Sequence, residues 1–486
     1  MLNSELGYLH HRRIVSVLSI GALTIALSGC MVGPNYHKPS VPVPPAFTEQ
    51  SQPAAAPAGP PAIAYHDWWK VFHDPVLDGM EMQADAANQD IKIAISHVDE
   101  ASAATRSAHS FLLPSIAAVP NVSRNREAQG RPNNGNTQGL AATYNDIQLP
   151  LVASYEIDAW GRVRRSVESA RATQQATEAD LRFVRLSIEA TVAIDYCSLR
   201  ETDQELSIID ATIGDLTRGV SLTTTLYRHG LSGALAVDQA KTLLDQTTAQ
   251  RQALQIQRAQ LKHAIAVLLG RTVEGFSLPP QPSNPTPPEI PVGLPSDLLQ
   301  RRPDVVEADR FVAAATAQIG VAKAAYFPQL SLTGVAGYES TNAASLLNWQ
   351  NTIASLAASA VAPIFTGGRL KAGVEQAQAG YRGSLAQYEK TVLTAYQEVE
   401  DQLAALHYLE SESQSEASAV TDARQAEQVA LQRYRAGLVS YLDVVFAQES
   451  VLTNERTAAQ ISGQQLVASV VLIKALGGGW EGGNTP

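Results

Sequence analysis

The chain writes one long stretch twice, and any fold proposed for it must accommodate both copies. Gly161 to Gly270 recurs as Gly368 to Gly477. Tyr227, Arg228, His229, Gly230 and Leu231 correspond to Tyr434, Arg435, Ala436, Gly437 and Leu438, a shift of 207 residues. Gly161 with Arg162 against Gly368 with Arg369, and Leu269 with Gly270 against Leu476 with Gly477, keep that register. Three anchors in one register argue against chance. Two copies are too few for a solenoid, so the repeat reads as the doubling of one supersecondary unit.

Inside the first copy, a helix with no proline is expected over 162–227, roughly 100 Å at about 1.5 Å per residue. Such a length does not fit an ordinary globular domain. Leu206, Ile209, Ile213, Leu216 and Val220 recur three and four apart, as a coiled-coil seam requires. A turn at Gly230 reverses the chain, and a return helix is expected over 231–269. The composition agrees: 45% hydrophobic, 6% aromatic and 17% charged, rich in Ala, Gln, Ser and Thr, as in long helices with small, closely packed faces. The formal charge is −11, which disfavours nucleic acid as a partner.

The N-terminus carries a different signal. His10, His11, Arg12 and Arg13 precede an apolar run from Ile14 to Leu27, too short to span a membrane comfortably and read as a signal peptide over 1–29. It ends in Leu27, Ser28, Gly29, Cys30, which resembles a lipobox with Cys30 as the acylated first residue of the mature protein. The alternative is an ordinary signal peptide with an incidental cysteine. Met31 stands where an inner-membrane retention signal would place Asp, which favours the outer membrane. A lipid anchor alone is weak, so a second membrane attachment is expected. Cys30 and Cys197 make no disulfide framework. Residues 30–66, rich in Pro and Ala, read as an extended lipid-anchored tether with no core to join.

The first repeat is placed at 67–278. Order begins at Trp68, Trp69 and Phe72, and a helix is expected from Val76 to about Phe111, with Asn88 inside it. A β-hairpin is expected over 113–158 around the turn residues Gly130 to Asn136. In its second strand Ile147, Leu149, Leu151, Ala153, Tyr155 and Ile157 alternate with Asp146, Gln148, Pro150, Val152, Ser154 and Glu156. Roughly ten to twelve alternating residues is the length of a tilted transmembrane strand, although periodicity alone fits a soluble sandwich equally well.

A Pro-rich linker at 279–295 marks the midpoint. The second repeat, 296–477, is read as a helix capped by Ser296 or Asp297 and running to about Tyr326, a hairpin over 328–365, a long helix over 370–434 and a return helix over 440–476. A Gly-rich tail, 478–486, follows. The first return helix of about forty residues plus the helix of about thirty before the second hairpin matches one long helix in length, and so does the second return helix plus the helix from Val76 to Phe111. Stacked end to end, the short helices would form a wall as tall as the long ones. Four strands cannot close a barrel, for which about eight is the practical minimum, whereas three copies would supply about twelve. The fold class expected is mainly α with a small β part and an internal duplication, in which the strands of three copies would close a barrel that a tube of long helices continues.

At this point the chain resembles the outer membrane efflux proteins of the TolC and OprM type, in the lipoprotein branch related to NodT. The resemblance rests on Trp68, Trp69 and Phe72, on the run Tyr155 to Arg162, on Leu298 to Asp304, on Tyr326 to Leu330 and on Pro363 to Arg369. It covers nearly the whole mature chain. It implies a homotrimer with an outer-membrane β-barrel in outer-membrane lipid, continued by a periplasmic α-helical barrel, serving as the exit duct of a tripartite pump. A periplasmic adaptor would couple it to an inner-membrane transporter of the RND type that supplies the energy. No phosphate loop, metal-ligand spacing or nucleophile elbow is present, so no cofactor and no catalysis are expected beyond the lipid on Cys30.

The same resemblance implies that Gly230, Leu231, Gly437 and Leu438 contact the adaptor at the helical tips. Turn glycines in left-handed geometry would account for the two glycines as well. It also places Asp443 at a periplasmic gate, where the bland alternative is a solvated helix-face carboxylate. Val439 and Phe446 depart from the best-known gate pattern, and Ala236 stands in the first copy where Asp443 stands in the second. The rival from another class is a periplasmic coiled-coil scaffold or adaptor lipoprotein without a pore. Membrane-length alternating strands between the helices discriminate against it.

Overall fold

The structure is a computed structural model that describes residues 31–49, 67–126, 143–282, 287–290 and 295–478. Cys30, the turn residues Gly130 to Asn136 and the 479–486 part of the tail lie outside the described residues. A 3-10 turn at Trp68–Phe72 precedes α1 (Pro75–Ala87) and α2 (Gln89–Ser110). Strands β1 (Ser115–Ala118), β2 (Asn121–Arg126) and β3 (Thr143–Ile157) lead into α3 (Arg162–Arg228) and α4 (Ala234–Leu268). The second copy follows with α5 (Leu298–Arg301), α6 (Pro303–Ala324), β4 (Gln329–Ser340), β5 (Thr352–Val361), α7 (Arg369–Arg435) and α8 (Tyr441–Ala475). The long helices α3 and α7 have 67 residues each and the returns α4 and α8 have 35 each.

The chain divides into two compact units. The first comprises Met1–Pro39, Asp99–Ala176 and Ala308–Gln387. Its described strands form one antiparallel sheet in which β1 and β2 both pair with β3, β3 pairs with β4, and β4 with β5. β1 and β2 are one strand of the expected hairpin, interrupted at Val119 and Pro120. The Val119 N–H donates to the Pro150 carbonyl at 3.0 Å. Pro150 has no N–H to return that bond, and Pro120 has none of its own, so the ladder breaks there.

Beside the sheet, residues 31–36 lie extended against α3 and α6. Val32 N–H donates to the Trp160 carbonyl at 3.1 Å, and the buried Arg165 guanidinium donates to Val32 O and Asn35 Oδ1. Gly33 lies against Gly320 so closely that a side chain on Gly33, already at φ +102°, would meet backbone. Tyr36 packs on Ala172, Ala313 and Ala314 and donates its hydroxyl proton to Asp309.

The second unit comprises Ser40–Val98, Thr177–Glu307 and Tyr388–Pro486. Its largest core packs Trp68, Trp69, Leu77, Met80 and Ala84 against Leu186, Ala190, Ala193, Tyr196 and Cys197 of α3. Tyr196 donates to Asp74 at 2.5 Å, while Asp74 accepts from Val76 N–H at 2.8 Å and so caps α1. Two carboxyls sit in this apolar setting. Burial holds Glu81 well above the usual carboxylate range, reinforced by Glu189 and Asp78. Burial raises Glu189 to about 7 against the opposing hydrogen bond from the Trp68 indole, 2.9 Å away.

Both return helices end in the same junction. At the end of α4, Gly270 at φ +66° donates to Val267 O, and Arg271 N–H donates to Ala266 O. At the end of α8, Gly477 at φ +93° donates to Lys474 O, and Gly478 to Ile473 O. These are paired Schellman closures. Against the first lies the break between α1 and α2. Asn88 takes an extended ψ of 136°, its Oδ1 accepts from Asp90 and Ile91 N–H, and its Nδ2 donates to Leu268 O at 2.9 Å. Against the second lies the break between α5 and α6, where Arg302 Nη1 donates to Ala475 O at 2.9 Å. The glycines are required because a Cβ on Gly270 or Gly477 would run into the backbone of Ala87 or Arg301.

Several expectations are corrected here. The helix expected from Val76 to Phe111 is two helices, because Asn88 caps the second rather than continuing the first. The helix expected from Ser296 or Asp297 to Tyr326 is likewise broken. Pro303 begins α6, its ring disfavours helical geometry at Arg302, and Asp297 makes no cap hydrogen bond. The tether does join a core: Phe47 is 4% exposed, packed with Leu298, Val399 and Leu472. Thr48 and Glu49 N–H donate to the Glu400 carboxylate at 2.7 and 3.0 Å, so an extended segment without internal bonds is satisfied by its neighbour. The linker is pinned at its start, where Pro279 O accepts from Arg200 and Gln281 N–H donates to Asp203.

Asn88→Ala removes a helix cap and the tie to Leu268 together. It is expected to lower unfolding stability by about 2 kcal/mol in thermal or denaturant melts. A change below about 0.5 kcal/mol would show that the junction does not depend on this side chain.

Candidate functional site

The sheet separates two chemistries. On β3, the face carrying Ile147, Leu149, Leu151, Ala153, Tyr155 and Ile157 continues across β4 through Tyr338, Ala336, Gly334, Leu332 and Leu330. It extends over β5 through Ala354, Leu356, Ala358 and Ala360, and over β1 and β2 through Ile116, Ala118 and Val122. Leu151, Ile116, Val122 and Leu356 on it are 54%, 71%, 75% and 83% exposed, an apolar surface that no described residue covers. The opposite face carries Asp146, Gln148, Ser154 and Glu156 on β3, Gln329, Ser331, Thr333 and Glu339 on β4, Ser355 and Ser359 on β5, and Asn121, Ser123 and Asn125 on β2. A sheet apolar on one face and polar on the other, with the apolar face bare, has the pattern expected of membrane-barrel strands. Pro150 fits mid-strand because its partner is Gly337, where a Cβ would collide with the Leu149 and Pro150 backbone.

At the lower end of this sheet Arg162 clasps Glu156 with two bonds, Nε at 2.8 Å and Nη2 at 2.6 Å, and Gln329 donates to the same carboxylate at 3.0 Å. Asp158 accepts from the Val163 and Arg164 N–H groups, capping the first turn of α3. Trp160 stacks on Phe327 with centroids 4.8 Å apart and donates its indole N–H to Pro328 O. These groups enclose a cavity of about 280 Å³ that Arg369 and Pro363 also line.

The helical turns are built alike. Gly230 at φ +71° donates to Tyr227 O, and Leu231 N–H donates to Leu226 O at 2.8 Å. Gly437 at φ +73° donates to Tyr434 O, and Leu438 N–H donates to Arg433 O at 2.9 Å. Each is a Schellman closure in which only glycine is comfortable. Such closures commonly tuck the following apolar residue against the helix. Here Leu231 and Leu438 are 75% and 69% exposed, so the fold leaves two leucines free at the turns.

Asp443 stands at the third position of α8. Its Oδ2 accepts from Ser440 N–H at 3.0 Å and from Ser440 Oγ at 2.7 Å, the Asp443 half of a capping box at the start of α8. The first copy has Gly233 and Ala236 in these places and no side-chain cap. The structure therefore gives Asp443 a local task that the sequence reading did not include. Phe446 is 61% exposed, while Val439 packs in the core of the turns.

That core holds a residue the sequence reading passed over. Tyr441 is 3% exposed, meets Tyr434 edge to face at 5.1 Å, and lies over Gly219 of α3, where a Cβ would stand 2.7 Å from the hydroxyl. Burial pushes the Tyr441 phenol up to about 12. The signal was available: Ala234 and Ala426 occupy the matching places of the other copies, so Tyr441 and Gly219 stand out against the repeat.

Cys197 is buried, and burial pushes its thiol up to about 12, the mark of a packing residue and not a nucleophile. Among the described residues no group of His, Cys, Asp and Glu could hold a metal ion, and no helix is long and apolar enough to cross a membrane.

Comparison with known proteins agrees with this geometry. The family model for outer membrane efflux proteins matches residues 82–271 and 294–478, one stretch in each copy. The toluene efflux pump outer membrane protein TtgC of Pseudomonas putida is 31% identical over 466 residues, covering 96% of each chain. The cation efflux system protein CusC of Escherichia coli O6:H1 is 30% identical, covering 94% of this chain and 98% of that one. Among solved structures, the outer-membrane channel OprN superposes with a TM-score of 0.85 at 28% identity, covering 93% of this chain and all of the other.

Asp443→Ala removes the acceptor of the Ser440 N–H. Amide exchange at Ser440 is expected to speed up about fivefold, the equivalent of about 1 kcal/mol, while Asp443→Asn keeps the acceptor and stays near the parent. Equal exchange in all three proteins would contradict the capping role.

Proposed function

The chain belongs to the outer membrane efflux protein family, and from that premise we propose that three copies form the exit duct of a tripartite efflux pump. It is an outer-membrane channel protein. The finer reading is that four strands from each copy join in one outer-membrane barrel and the long helices extend into the periplasm. The polar sheet face then lines the aqueous path and the apolar face meets lipid. One observation carries this reading: a two-faced sheet of four strand paths, too few to close, with its apolar face uncovered. A pore-less scaffold has no use for such a sheet.

Cys30 carries the acyl anchor in this reading. Met31, one residue later, lies against Gly161 and beside the Trp160 corner, where an aromatic pair suits the membrane boundary. The exposed Leu231 and Leu438, held out by Gly230 and Gly437, are the contacts for a periplasmic adaptor. The adaptor connects the duct to an inner-membrane transporter of the RND type, which supplies the energy. Asp443, repeated three times around an axis, would add like-charge repulsion at a gate, with its cap to Ser440 fixing where each carboxylate stands. The named relatives serve toluene and cation efflux, so the cargo is set by the transporter and not by the duct. We read no catalysis into the chain.

Replacing Gly230 and Gly437 by bulky residues strains both turns, whose left-handed geometry holds the leucines in place. Drug export is expected to fall to the level of a deletion strain while trimers persist in outer-membrane fractions. Full export by that variant would sink the adaptor assignment.

A further inference from the structure

Helix α1 runs antiparallel along α3, from the Asp74 bond to Tyr196 at one end to the Asp85 ion pair with Arg185, 2.7 Å, at the other. Between these ties Glu81 of α1 is 0% exposed, and neither of its carboxyl oxygens has a hydrogen-bond partner among the described residues. Asp78 lies one turn earlier on the same helix, and its Oδ1 is buried and equally unpartnered. Glu189 of α3 is 5% exposed and accepts from the Trp68 indole. The walls around them are apolar, with Leu77 and Met80 of α1, Leu186 and Ala193 of α3, Ile265 of α4 and Val470 of α8.

The cations around this core are engaged elsewhere. Arg185 is held by Asp85, Lys70 of the 3-10 turn by Asp67, and Arg200 of α3 by Asp203. Past the end of α4, Arg271 donates to Gln83, and from α8 Lys474 lies over the Phe183 ring. The other titratable groups that face the pair are acids: Asp78 and the Cys197 thiol beside Glu81, Asp67 and Asp85 beside Glu189. An ionised Glu81 would have neither a donor nor a counter-charge, and an uncompensated buried charge is strongly destabilising.

We propose that a proton locks α1 to α3: Glu81 packs as the neutral acid, and its ionisation beside Glu189 opens the contact between the two helices. Burial supports this by raising both carboxyls, Glu81 well above the usual range and Glu189 to about 7. A raised acid keeps its proton in the closed state after the open state has lost it. Closure is therefore fully favoured below the ordinary carboxylate value of 4.5 and weakens as the pH climbs through the raised values. Over that window each retained proton makes the opening constant rise about tenfold per pH unit. The second copy has no such pair. Asn88 and Arg302 are equivalent at a displacement of 214 residues, which carries Glu81 to Pro295, and the 207-residue shift carries Glu189 to Tyr396. Because α1 ends at Asn88, its release also loosens the tie to Leu268 of α4.

Amide exchange tests the lock in the full-length protein. Protection factors, which remove the intrinsic pH dependence of exchange, are measured over Met80 to Ala84 from about pH 5 to 8. In the parent, protection is expected to fall with rising pH, by up to about tenfold per pH unit for each of the two protons. Glu81→Gln cannot ionise and is expected to lose its share of that slope. Glu189→Gln keeps an acceptor for the Trp68 indole and is expected to retain the Glu81 share. Glu100→Gln, which removes an exposed carboxylate from α2, is expected to follow the parent. A flat profile in the parent or in Glu189→Gln would overturn the proposal, and so would a slope in Glu81→Gln equal to the parent's. Should Glu81→Gln fail to fold, the Glu189→Gln profile decides alone.

Discussion

The structure of the second unit depends on how a helix is allowed to end. A return helix finishes with carbonyls that have no partner along the chain, and burying them unsatisfied would cost several kcal/mol. Here Gly270 and Gly477 turn left-handed to recover part of the ladder, and a neighbouring break supplies the rest through Asn88 Nδ2 or Arg302 Nη1. Asn88 acts on both helices at once, donating to the end of α4 and accepting from the start of α2. A helix that stops is thereby set against one that begins, and two short helices serve in place of one long one. The breaks in α1–α2 and α5–α6 are the means by which the repeat matches lengths.

Duplication supplies the scaffold, and departures from it supply what is particular to each copy. Both turns have the same Schellman closure, yet only the second has a capped helix start at Ser440 and Asp443. Tyr441 fills a notch at Gly219 where the other copies place alanine. At the base of the sheet Glu156 has a pseudo-equivalent in Pro363, so one arginine is clasped and the other is not. These differences fall at the turns and at the base of the sheet. The helical core between them is held to the common pattern by packing.

Much of this was legible in the residues. The repeat, the two long helices and their turns follow from glycine spacing and heptad-like apolar positions, because both are local properties of the chain. Ile209 and Leu216 are buried as the seam requires. The alternation in β3 gave the two faces of the sheet, though not which medium each would meet. What escaped was decided by distant partners. Asn88 reads as an ordinary helix residue until Leu268 is beside it, and Phe47 reads as part of a solvated tether until Leu298, Val399 and Leu472 form its pocket. Pro303 is a helix breaker written in the sequence, yet the helix expected from Ser296 or Asp297 to Tyr326 runs through it. Asp443 is legible as a charge at a turn, and its bond to Ser440, three residues away, depends on the turn geometry that brings the two side chains together.

A chain built as part of a duct makes one central claim about itself, that three copies enclose an open aqueous path. The direct measurement is single-channel current through the purified full-length protein in a planar bilayer. Discrete, uniform conductance steps with a preference for cations are expected, because the chain carries a formal charge of −11 and the polar sheet face holds Asp146, Glu156 and Glu339. A bilayer that stays silent, with the inserted protein verified as trimers, would contradict the account.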